Sequence, residues 1–563
     1  MSTPSSRPRV LIVRIISALM NVGAGPSGLV AALTLLRNGV PVRIIEKSPK
    51  HNPGQRGAGI FPRTLELLNF LGVTEPNEIG KRVFPIRRYK GGTQEVLSTS
   101  IMIPDTEPTP AIPFNVPKLV GQVVLEGILR SHLAKLSCYV ELGTELRSFE
   151  QFPDHVIAHI AKKQGEDEVL ETFETSWLIG TDGAKGVVRK GLDLPFIGET
   201  RDDFHMLLGD IRLTGDGIDR VHWHRFGDQR DPKSVMLRPT DEVGENGFQF
   251  FLIGTEMDAK KLQADENELV SFISAATGTN ITMHELVYTT EFRPNIRMVD
   301  TLGKGRVFIA GDAAHVHSPT GGQGLNSSAQ DSFNLAWKLA LVEKGLASPA
   351  LLDTYTTERI PVIAEMLELT TAILNRVVQN PSDTQNDLRG LKLFMLGVNY
   401  RFSPIVVDEF VTEKRPVNAY GTLDETCLEA GDRAPDAPGL VDIKGDGGTT
   451  TTFFDVYQPS HHTVLVFTPE AAEAAPILSS LERYNRDVIR SALVLPASAK
   501  SLQVDSLADL VLVDKSKYAY STYLVKDSAV KVIIVRPDGV VGAIVQGASG
   551  LERYFDGIFR DLA

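Results

Sequence analysis

Three segments of the chain are rich in glycine, and each has an acidic residue within it or shortly after it. The first is GAGPSG at residues 23–28, and Glu46 follows it by 18 positions. Gly23 permits a tight turn, Gly25 lets the backbone approach a pyrophosphate, and Gly28 lets a helix pack closely on a strand. The N-terminus of that helix offers free N–H groups to phosphate oxygens, and Glu46 can accept hydrogen bonds from ribose hydroxyls. This spacing predicts dinucleotide binding without distinguishing FAD from NAD.

The second and third segments distinguish between those two cofactors. Gly311 to Asn326 places Asp312 after an apolar run and continues through a glycine-rich loop into a helical pattern. This carboxylate can bind ribityl hydroxyls, while the loop N–H groups and the helix N-terminus can face the negative charge of a reduced flavin. The third segment, Gly180 to Gly183, places Asp182 in an Asp-Gly turn that alone would indicate only a turn. Together the three segments favour FAD.

The residues before GAGPSG depart from the usual nucleotide-binding pattern, in which the glycine-rich turn follows the first strand directly. The apolar run Val10 to Val13 is separated from Gly23 by the nine residues 14–22. Either the strand lies within 15–22, with Ser17 and Asn21 as polar interruptions, or residues 14–22 are an insertion. Since VLIV joined to GAGPSGL restores the pattern, we favour an insertion from a splicing or gene-model error. Arg14 interrupts the apolar run, which argues against a signal peptide.

The composition excludes several other classes of protein. The net charge is −12 and no Lys/Arg-rich block occurs, so a nucleic-acid partner is not expected. Only two cysteines occur, Cys138 and Cys427, without a CxxC spacing, so neither a disulfide framework nor a metal site is predicted. The sequence contains no run of 18 apolar residues, so no membrane span is predicted. We expect a protein of a reducing compartment, the cytoplasm.

The order of patterns along the 563 residues predicts an α/β fold with several domains. Residues 1–195 alternate strands and helices as in a Rossmann-like FAD-binding domain, which resumes at 301–410. Residues 196–300 read as a mostly antiparallel β-sheet inserted between those halves, a substrate-binding domain. A linker rich in charge, proline and glycine covers 412–438, and 425–563 forms a separate C-terminal α/β unit. Its turn at 537–539 joins two apolar runs and predicts a hairpin.

The chain resembles the class A flavoprotein aromatic hydroxylases, the family of p-hydroxybenzoate hydroxylase and phenol hydroxylase. The resemblance rests on the three glycine-rich segments with Glu46 and Arg189, and on RTLE at 63–66, GRV at 305–307, NLAWK at 334–338 and LDTYTTERIP at 352–361. The C-terminal unit resembles, through GDRAP at 431–435 and RPDG at 536–539, the thioredoxin-like domain of the phenol hydroxylase branch. It lacks a CxxC, so redox chemistry of its own is not expected.

The resemblance implies a set of cofactor-binding residues. In the family, an arginine after the ribose-binding acid holds phosphates, and a glutamine at the start of a later helix contacts the cofactor; Arg56 and Gln122 match them. The loop from Pro319 lines the edge of the flavin ring. The expected cofactor-binding residues are Gly23, Gly25, Pro26, Ser27, Gly28, Glu46, Lys47, Arg56, Gln122, Asp182, Gly183, Gly311, Asp312, Pro319, Gly321, Gly322, Gly324, Leu325 and Asn326.

The resemblance also implies the reaction. NAD(P)H, a transient co-substrate, would reduce FAD, and O2 would form a C4a-hydroperoxide that transfers one oxygen to a phenolic or hydroxybenzoate-type ring, with or without decarboxylation. The alternatives are a monooxygenase of polyketide or terpenoid phenols, a flavin reductase that does not use oxygen, and an inactive fold kept for binding. A homodimer is the family expectation.

The substrate side departs from the family pattern. Ala58 stands where the phenol hydroxylase branch has an aspartate that assists deprotonation, so no catalytic base is assigned. His224, Arg225 and Arg238 are candidates from the middle sheet, although the bland interpretation of each is a structural or surface residue.

Overall fold

We describe a computed structural model of the chain, which covers residues 19–165, 167–201, 205–379, 391–413, 416–444, 448–499 and 507–560. Its architecture is mixed α/β, as predicted. The helices are α1 (Pro26–Arg37), α2 (Pro62–Phe70), α3 (Glu75–Ile79), α4 (Gln122–Lys135), α5 (Val187–Gly191), α6 (Ala259–Ala264), α7 (Glu266–Thr277), α8 (Gly324–Glu343), α9 (Asp353–Gln379), α10 (Phe453–Val456), α11 (Ala471–Ser480), α12 (Tyr518–Thr522) and α13 (Ala548–Asp556).

The strands form several sheets. They are β1 (Leu19–Val22), β2 (Val42–Glu46), β3 (Gly59–Ile60), β4 (Ile86–Tyr89), β5 (Val96–Ser100), β6 (Lys118–Leu119), β7 (Val140–Leu142), β8 (Thr144–Gln151), β9 (Val156–Gln164), β10 (Asp167–Thr175), β11 (Leu178–Gly180), β12 (Ile197–Thr200), β13 (Met206–Gly215), β14 (Trp223–Phe226), β15 (Ser234–Pro239), β16 (Gly247–Ile253), β17 (Ile281–Phe292), β18 (Asn295–Met298), β19 (Gly303–Lys304), β20 (Val307–Ile309), β21 (His315–Val316), β22 (Val407–Asp408), β23 (Leu440–Asp442), β24 (Thr449–Thr451), β25 (His462–Phe467), β26 (Ile489–Pro496), β27 (Leu510–Asp514), β28 (Lys531–Val535) and β29 (Val541–Val545).

The first sheet has the order β19-β20-β11-β1-β2-β7, and its five strands from β20 to β7 run parallel. Helix α1 begins with Pro26 at its first turn, where a missing N–H costs nothing, and it packs between the sheet and helices α4 and α8. The three glycine-rich segments follow β1, β11 and β20. They therefore meet at the carboxyl ends of three adjacent strands, where open α/β sheets bind ligands.

The preference for an insertion at 14–22 is wrong for residues 19–22, because these residues form the central strand β1. The strand pairs with β2 and β11, and all four of its side chains are buried. The polar interruption Asn21 is accommodated because its Nδ2 donates to the Gly23 carbonyl at 3.0 Å. The other run, Val10 to Val13, lies outside the described residues.

The middle sheet has the order β17-β13-β16-β15-β14-β4-β5 and is largely antiparallel. Two of its strands, β4 and β5, come from residues before 101 rather than from 196–300. One face packs against α6 and α7 through a core that includes Phe226, Leu237 and Phe250. The other face is turned toward the parallel sheet, because the Gln55 N–H donates to the Asp210 carboxylate at 2.7 Å.

The C-terminal unit contains an eight-stranded sheet with the order β22-β29-β28-β25-β26-β27-β23-β24. It is less separate than the sequence suggests, because its core is continuous with that of α1, α2 and α8. The Phe70 and Phe454 rings lie 5.0 Å apart, edge to face, across the junction. The segment predicted as a linker is irregular but partly packed, since Tyr420 is fully buried.

Candidate functional site

The three glycine-rich segments converge at the ends of β1, β11 and β20. Gly23 has a φ of +105°, and a Cβ there would lie 2.4 Å from the Thr181 carbonyl oxygen. A Cβ on Gly28 would lie 2.0 Å from the Gly23 oxygen, so helix α1 packs directly on the turn. Gly311 approaches Ser27 in the same way, at 2.4 Å from its Oγ. Sequence segments more than 120 residues apart thus form one groove.

The N-terminus of α1 is open toward this groove. Its N-cap is Gly25, no side chain caps the helix, and no acidic residue lies in the first turn. A Cβ added to Gly25 would meet nothing within 4 Å. The free N–H groups and the vacant space beside them are what a diphosphate needs. Glu46 ends the neighbouring strand, and its carboxylate accepts from the Ala24 N–H at 3.1 Å, so it borders the same turn.

Asp312 lies at the first turn after β20, where the second segment begins. Its side chain is exposed although protein surrounds it, which places it on the wall of a deep groove. The loss of solvent there raises the pKa of its carboxyl. A cofactor hydroxyl that donates to this carboxylate would compensate for the lost solvation.

The loop that leads into α8 is held by amide side chains. Gln323 donates from Nε2 to the Gly321 carbonyl at 2.7 Å and accepts from the Tyr420 hydroxyl at 2.5 Å. Asn326 accepts from the Phe61 N–H at 2.8 Å and donates to the Gly322 carbonyl at 3.0 Å. No side chain caps the N-terminus of α8, and no acidic residue lies in its first turn. The loop therefore presents backbone donors in a fixed geometry.

Pro319, Gly324 and Leu325 complete this predicted set. Pro319 is exposed, while Gly324 and Leu325 are partly buried in the first turn of α8. His317 lies beside Gly324, because a Cβ added there would be 3.0 Å from its Nε2. Burial lowers the pKa of His317 to about 4, so its imidazole is neutral at pH 7.

Asp182 has a partner within its own loop. One carboxylate oxygen accepts from the N–H groups of Val187 and Val188, at 2.6 and 3.0 Å, and so caps α5. Burial nevertheless raises the pKa of this carboxyl. Arg189 ties the loop to the second segment, because it donates to the Ala184 and Ala313 carbonyls at 2.7 and 3.0 Å. Gly183, next to Asp182, has open space around its Cα.

The remaining predicted residues lie at the rim of the groove. Lys47 is exposed just after β2, and Arg56 is exposed with its Nε donating to the Tyr288 hydroxyl at 3.2 Å. Gln122 is the first residue of α4, and its Nε2 donates to Glu126 at 2.8 Å. Arg130 lies 3.6 Å from Glu126 one turn further along.

Sequence reasoning missed a buried cluster behind the Gly311 turn. Asp331 accepts from His315 Nε2 at 2.6 Å, from Arg359 Nε at 2.7 Å and from the Gly311 N–H at 3.2 Å. Burial opposes ionisation of Asp331, but the charges of Arg359 and His315 outweigh it and lower the pKa of its carboxyl to about 2. The anionic Asp331 therefore fixes the turn that carries Asp312. These residues are brought together only by the tertiary structure, so no local spacing in the sequence indicates the cluster.

The three candidates from the middle sheet separate by face. His224 is fully buried in the core beside α7, where its Nδ1 contacts the Tyr89 hydroxyl at 2.9 Å and its Nε2 the Asp219 carbonyl at 2.8 Å. It is a structural residue. Arg225 and Arg238 lie on the opposite face, the one turned toward the groove. Ala58 is buried, and its carbonyl accepts from Val120 N–H at 2.9 Å.

Three further observations concern the described residues. Among the described residues, no group of His, Cys, Asp and Glu side chains is arranged to hold a metal ion. Both cysteines are free. No helix in the described part of the chain is long and apolar enough to cross a membrane.

Comparison with known proteins agrees with this geometry. The family model for the FAD binding domain matches residues 18–370. A flavin-dependent monooxygenase of Mycobacteroides abscessus is 34% identical over 464 residues, covering 81% of this chain and 89% of the relative. Pentachlorophenol 4-monooxygenase of Sphingobium chlorophenolicum is 30% identical, over 88% of each chain.

Two solved structures share the fold. The flavin-dependent monooxygenase PieE, in complex with FAD and substrate, superposes with a TM-score of 0.75 at 19% identity, covering 96% of this chain and 99% of that one. Aklavinone-11 hydroxylase with FAD and aklavinone gives a TM-score of 0.72 at 24% identity, with the same coverage. The chain belongs to the family of FAD-dependent aromatic monooxygenases. It is an FAD enzyme, and monooxygenation implies O2 and NAD(P)H as its co-substrates.

Proposed function

We propose that the chain uses NAD(P)H and O2 to hydroxylate a phenolic or hydroxybenzoate-type ring, with or without loss of CO2. The observation that carries this proposal is the convergence of three glycine-rich segments at adjacent strand ends, with two uncapped helix N-termini facing the groove. That groove fits a long dinucleotide whose flavin end reaches the middle sheet. The Gln55 and Arg56 contacts with that sheet support this direction.

The cofactor-binding residues are those predicted from the sequence. Helix α1 and Gly25 would hold the diphosphate, with Arg56 and Lys47 supplying positive charge at the rim. Glu46 would accept from the ribose, Asp312 from the ribityl chain, and Asp182 would act mainly by shaping its loop. The N–H groups of Leu325 and Asn326 would face the flavin ring and stabilise negative charge there.

Bound flavin would carry the reducing equivalents from NAD(P)H and would activate O2. The chain's own residues then have two tasks, to orient the ring of the substrate and to exclude water from it. The middle sheet supplies an apolar cluster on its groove-facing side, which includes Met206, Leu208 and Phe251. With Ala58 in place of an acid, a substrate that ionises readily on its own needs less assistance from the protein.

A larger polycyclic phenol is the second candidate substrate. It is favoured by 6-methylpretetramide 4-monooxygenase of Streptomyces rimosus, which is 33% identical over 62% of this chain. The third alternative, a flavin reductase that does not use oxygen, is disfavoured because the relatives that cover most of this chain are monooxygenases.

We further propose that residues 1–195 with 301–410 act as the FAD-binding domain, that residues 196–300 together with strands β4 and β5 act as the substrate-binding domain, and that residues 425–563 act as the C-terminal domain. Strands β29, β28, β25 and β26 lie side by side in the C-terminal sheet, with β25 and β26 parallel and the others antiparallel. This order supports a thioredoxin-like unit, and the lack of a CxxC gives it no redox role. A cytoplasmic homodimer is the assembly that we propose.

The test is flavin content followed by substrate-stimulated NAD(P)H oxidation. We expect a yellow protein whose NAD(P)H consumption rises when one class of phenol is added, with a product that has gained one oxygen atom, either with or without the loss of CO2. Polycyclic phenols and simple hydroxybenzoates are screened in parallel, which separates the first two candidates. Stimulation that persists without O2 would identify a reductase, and a colourless protein would contradict cofactor binding. Gly28→Val, which places side-chain atoms against the Gly23 carbonyl, is the variant expected to lose FAD.

A further inference from the structure

Two carboxylates of the middle sheet bind the backbone of the FAD-binding part. Asp210, on β13, accepts from the Gln55 N–H at 2.7 Å. Glu242, in the loop after β15, accepts from the Gly121 N–H at 2.6 Å. In each case the next residue along the chain is one that the sequence predicts to bind the cofactor. The two contacts therefore join the middle sheet to two segments that border the groove.

The peptide of Gln55 is bound on both sides. The Gln249 Nε2 donates to the Gln55 carbonyl, and the Gln55 Nε2 donates to the Thr240 hydroxyl at 3.2 Å. Asp210, Gln249 and Tyr288 are paired in register on β13, β16 and β17, so their side chains point to one face of the sheet. Because Gln55 is only 3% exposed, these side chains replace water as partners of its backbone.

The Tyr288 side chain fixes the residues on either side of Gln55. Its ring lies against Gly54, because a Cβ added there would be 2.2 Å from the ring Cδ1. Its hydroxyl accepts from the Arg56 Nε at 3.2 Å. Gln55 is buried against the sheet while Arg56 is exposed, so the clasped segment presents the arginine at the rim of the groove.

The charge of Arg56 reaches two sides of the groove. Burial raises the pKa of the Asp312 carboxyl, after β20, and of the Glu126 carboxyl, on α4, and the positive charge of Arg56 opposes both rises. Among the described residues, Tyr288 is the one hydrogen-bond partner of the Arg56 side chain. The remaining donors of this guanidinium suit the phosphates of a dinucleotide.

Asp210 binds the Gln55 N–H with more charge than a single hydrogen bond requires. It is fully buried, and its Oδ1 has no hydrogen-bond partner within the described part of the chain. Loss of solvent raises the pKa of its carboxyl to about 6, although the Gln55 N–H and the charge of Arg238 lower it, and the nearby Glu242 raises it further. An asparagine could accept from the same N–H without a buried charge. The carboxylate, however, makes the stronger, charge-assisted bond.

We propose that Asp210 and Glu242 are positioning residues for the cofactor, which fix the backbone before Arg56 and Gln122 and thereby the two side chains that bind FAD. This inference rests on the proposed function, in which Arg56 supplies positive charge to the FAD phosphates. Neither carboxylate has to touch FAD. The middle sheet then serves the cofactor as well as the substrate.

The test is a double-mutant cycle on the dissociation constant of FAD. The FAD-loaded full chain is diluted, and the released flavin is measured by its fluorescence. The variants are Asp210→Ala, Asp210→Asn, Arg56→Gln and the double variant of Asp210→Ala with Arg56→Gln. Glu285→Gln is the control, because Glu285 lies on β17 of the same sheet and pairs with Arg212 at the surface. The melting temperature at saturating FAD verifies that each variant is folded.

We expect Arg56→Gln to raise the dissociation constant about 10- to 100-fold and Asp210→Ala to raise it about 10-fold. The double variant should stay within about twofold of Arg56→Gln, because Asp210 acts through Arg56. Asp210→Asn should bind FAD about threefold more weakly than the wild type at pH 8. At pH 5 the two should be equal, because the wild-type carboxyl is then largely protonated. Glu285→Gln should leave the constant unchanged.

The same cycle is run for the second contact, with Glu242→Ala, Gln122→Ala and their double variant. We expect Glu242→Ala to raise the dissociation constant of FAD about threefold, and to have no further effect when Gln122 is already replaced. Effects that multiply in this cycle would remove Glu242 from the assignment.

Effects of Asp210→Ala and Arg56→Gln that multiply would overturn the assignment of Asp210, which would then serve the fold alone. A ratio of Asp210→Asn to wild type that does not change with pH would overturn it as well. Unchanged FAD affinity in Arg56→Gln would refute the role of Arg56 and this inference with it. Absence of phenol-stimulated NAD(P)H oxidation, in a wild type whose cycle behaves as expected, would refute hydroxylation and leave this inference supported.

Discussion

Two groups of buried cations in this chain have opposite surroundings. At the junction with the C-terminal unit, Arg536 and Lys338 both pair with Glu358, each at 2.7 Å, and all three side chains are fully buried. Arg433 and Arg63 share Glu66 in the same way. On the middle sheet, by contrast, the Nε of Arg225 is buried and makes no hydrogen bond within the described part of the chain, and burial lowers the pKa of Arg225 to about 10 although the charge of Asp228 raises it.

The difference separates cations whose charge is compensated by a paired carboxylate from one whose charge is poorly compensated. A buried carboxylate between two cations contributes mainly by preventing an uncompensated charge, so its removal is severe. Burial alone would disfavour the charge of Glu358, but Arg536 and Lys338 outweigh it and hold the pKa of its carboxyl well below its usual range. A cation without such a partner destabilises the fold, and function is the usual reason to retain it.

The comparison predicts its largest effect at Glu358. Replacement by glutamine leaves Lys338 without a paired anion and leaves Arg536 with Asp538 alone, so we expect the free energy of unfolding to fall by about 3–5 kcal/mol. Denaturant unfolding of the holoenzyme measures this loss. Glu409→Gln is the control, because Glu409 pairs with Arg553 at the surface and should cost less than about 1 kcal/mol. Equal losses in the two variants would contradict the comparison.

Asp331→Asn should affect the cofactor as well as stability. It removes the anion beside Arg359 and weakens the acceptor of the Gly311 N–H. We expect the free energy of unfolding to fall by about 3 kcal/mol. The dissociation constant of FAD should rise about 10-fold, as measured by the fluorescence of released flavin. Glu358→Gln, further from the groove, should change FAD affinity much less. The idea that Asp331 fixes the turn fails if both variants release FAD equally.

Protonation of His462 would add one more cation to the junction with the C-terminal unit. It is fully buried among Trp337, Tyr554 and Phe555, and burial with the nearby charge of Arg536 lowers its pKa to about 3. The unfolded chain takes up this proton near pH 6.5 and the folded chain only near pH 3, so stability falls as pH drops through that window.

Removing the imidazole should therefore flatten the acid side of the stability curve. We compare the free energy of unfolding of His462→Leu with that of the wild type at two pH values. The difference should favour the variant by on the order of 3 kcal/mol more at pH 4 than at pH 7, because its unfolded state no longer gains a proton. Unfolding at several pH values measures the slope, and His159→Leu, on the more exposed strand β9, is the control. Parallel curves for wild type and His462→Leu would exclude this origin of acid sensitivity.

The smallest predicted change has the opposite sign. Arg225→Gln should raise the free energy of unfolding by about 1 kcal/mol, because it removes a poorly compensated buried charge. The same denaturant measurement checks it, with Arg147→Gln as the reference, because Arg147 is exposed on β8 and its replacement should leave stability nearly unchanged. A loss comparable to that of Glu358→Gln would mean that Arg225 serves the fold, and the contrast between the two groups would disappear.

The sequence predicts the groove better than its supports. GAGPSG, Asp182-Gly183 and Gly311 to Asn326 are local patterns, and parallel strands bring them together without further information. Asp331, Arg359 and Tyr420 hold that groove through contacts between distant segments, which no local spacing reveals. The first strand was misjudged because Asn21 looks unsuitable for a central strand, and only the fold supplies its partner, the Gly23 carbonyl.

The groove-facing side of the middle sheet was harder to predict, because the residues on it depend on strand register. The sequence offers Arg225 and Arg238 as candidates but cannot say which face each occupies. Arg88 was not a candidate, because it lies on β4, within the predicted FAD-binding part, and joins the sheet through pairing with β14. A one-residue change of register would move every side chain on this side of the sheet to the opposite face.

The hydroxyl of Tyr420 on Gln323 has a consequence for how this enzyme can evolve. The family match ends at residue 370, yet the glycine-rich loop before α8 is held by a side chain 50 positions beyond it. Recombination that exchanged the C-terminal third for that of a relative would also exchange this anchor, together with Arg433 and Arg536. A C-terminal third taken from a relative would therefore have to supply equivalent contacts for the loop and the junction to keep their geometry.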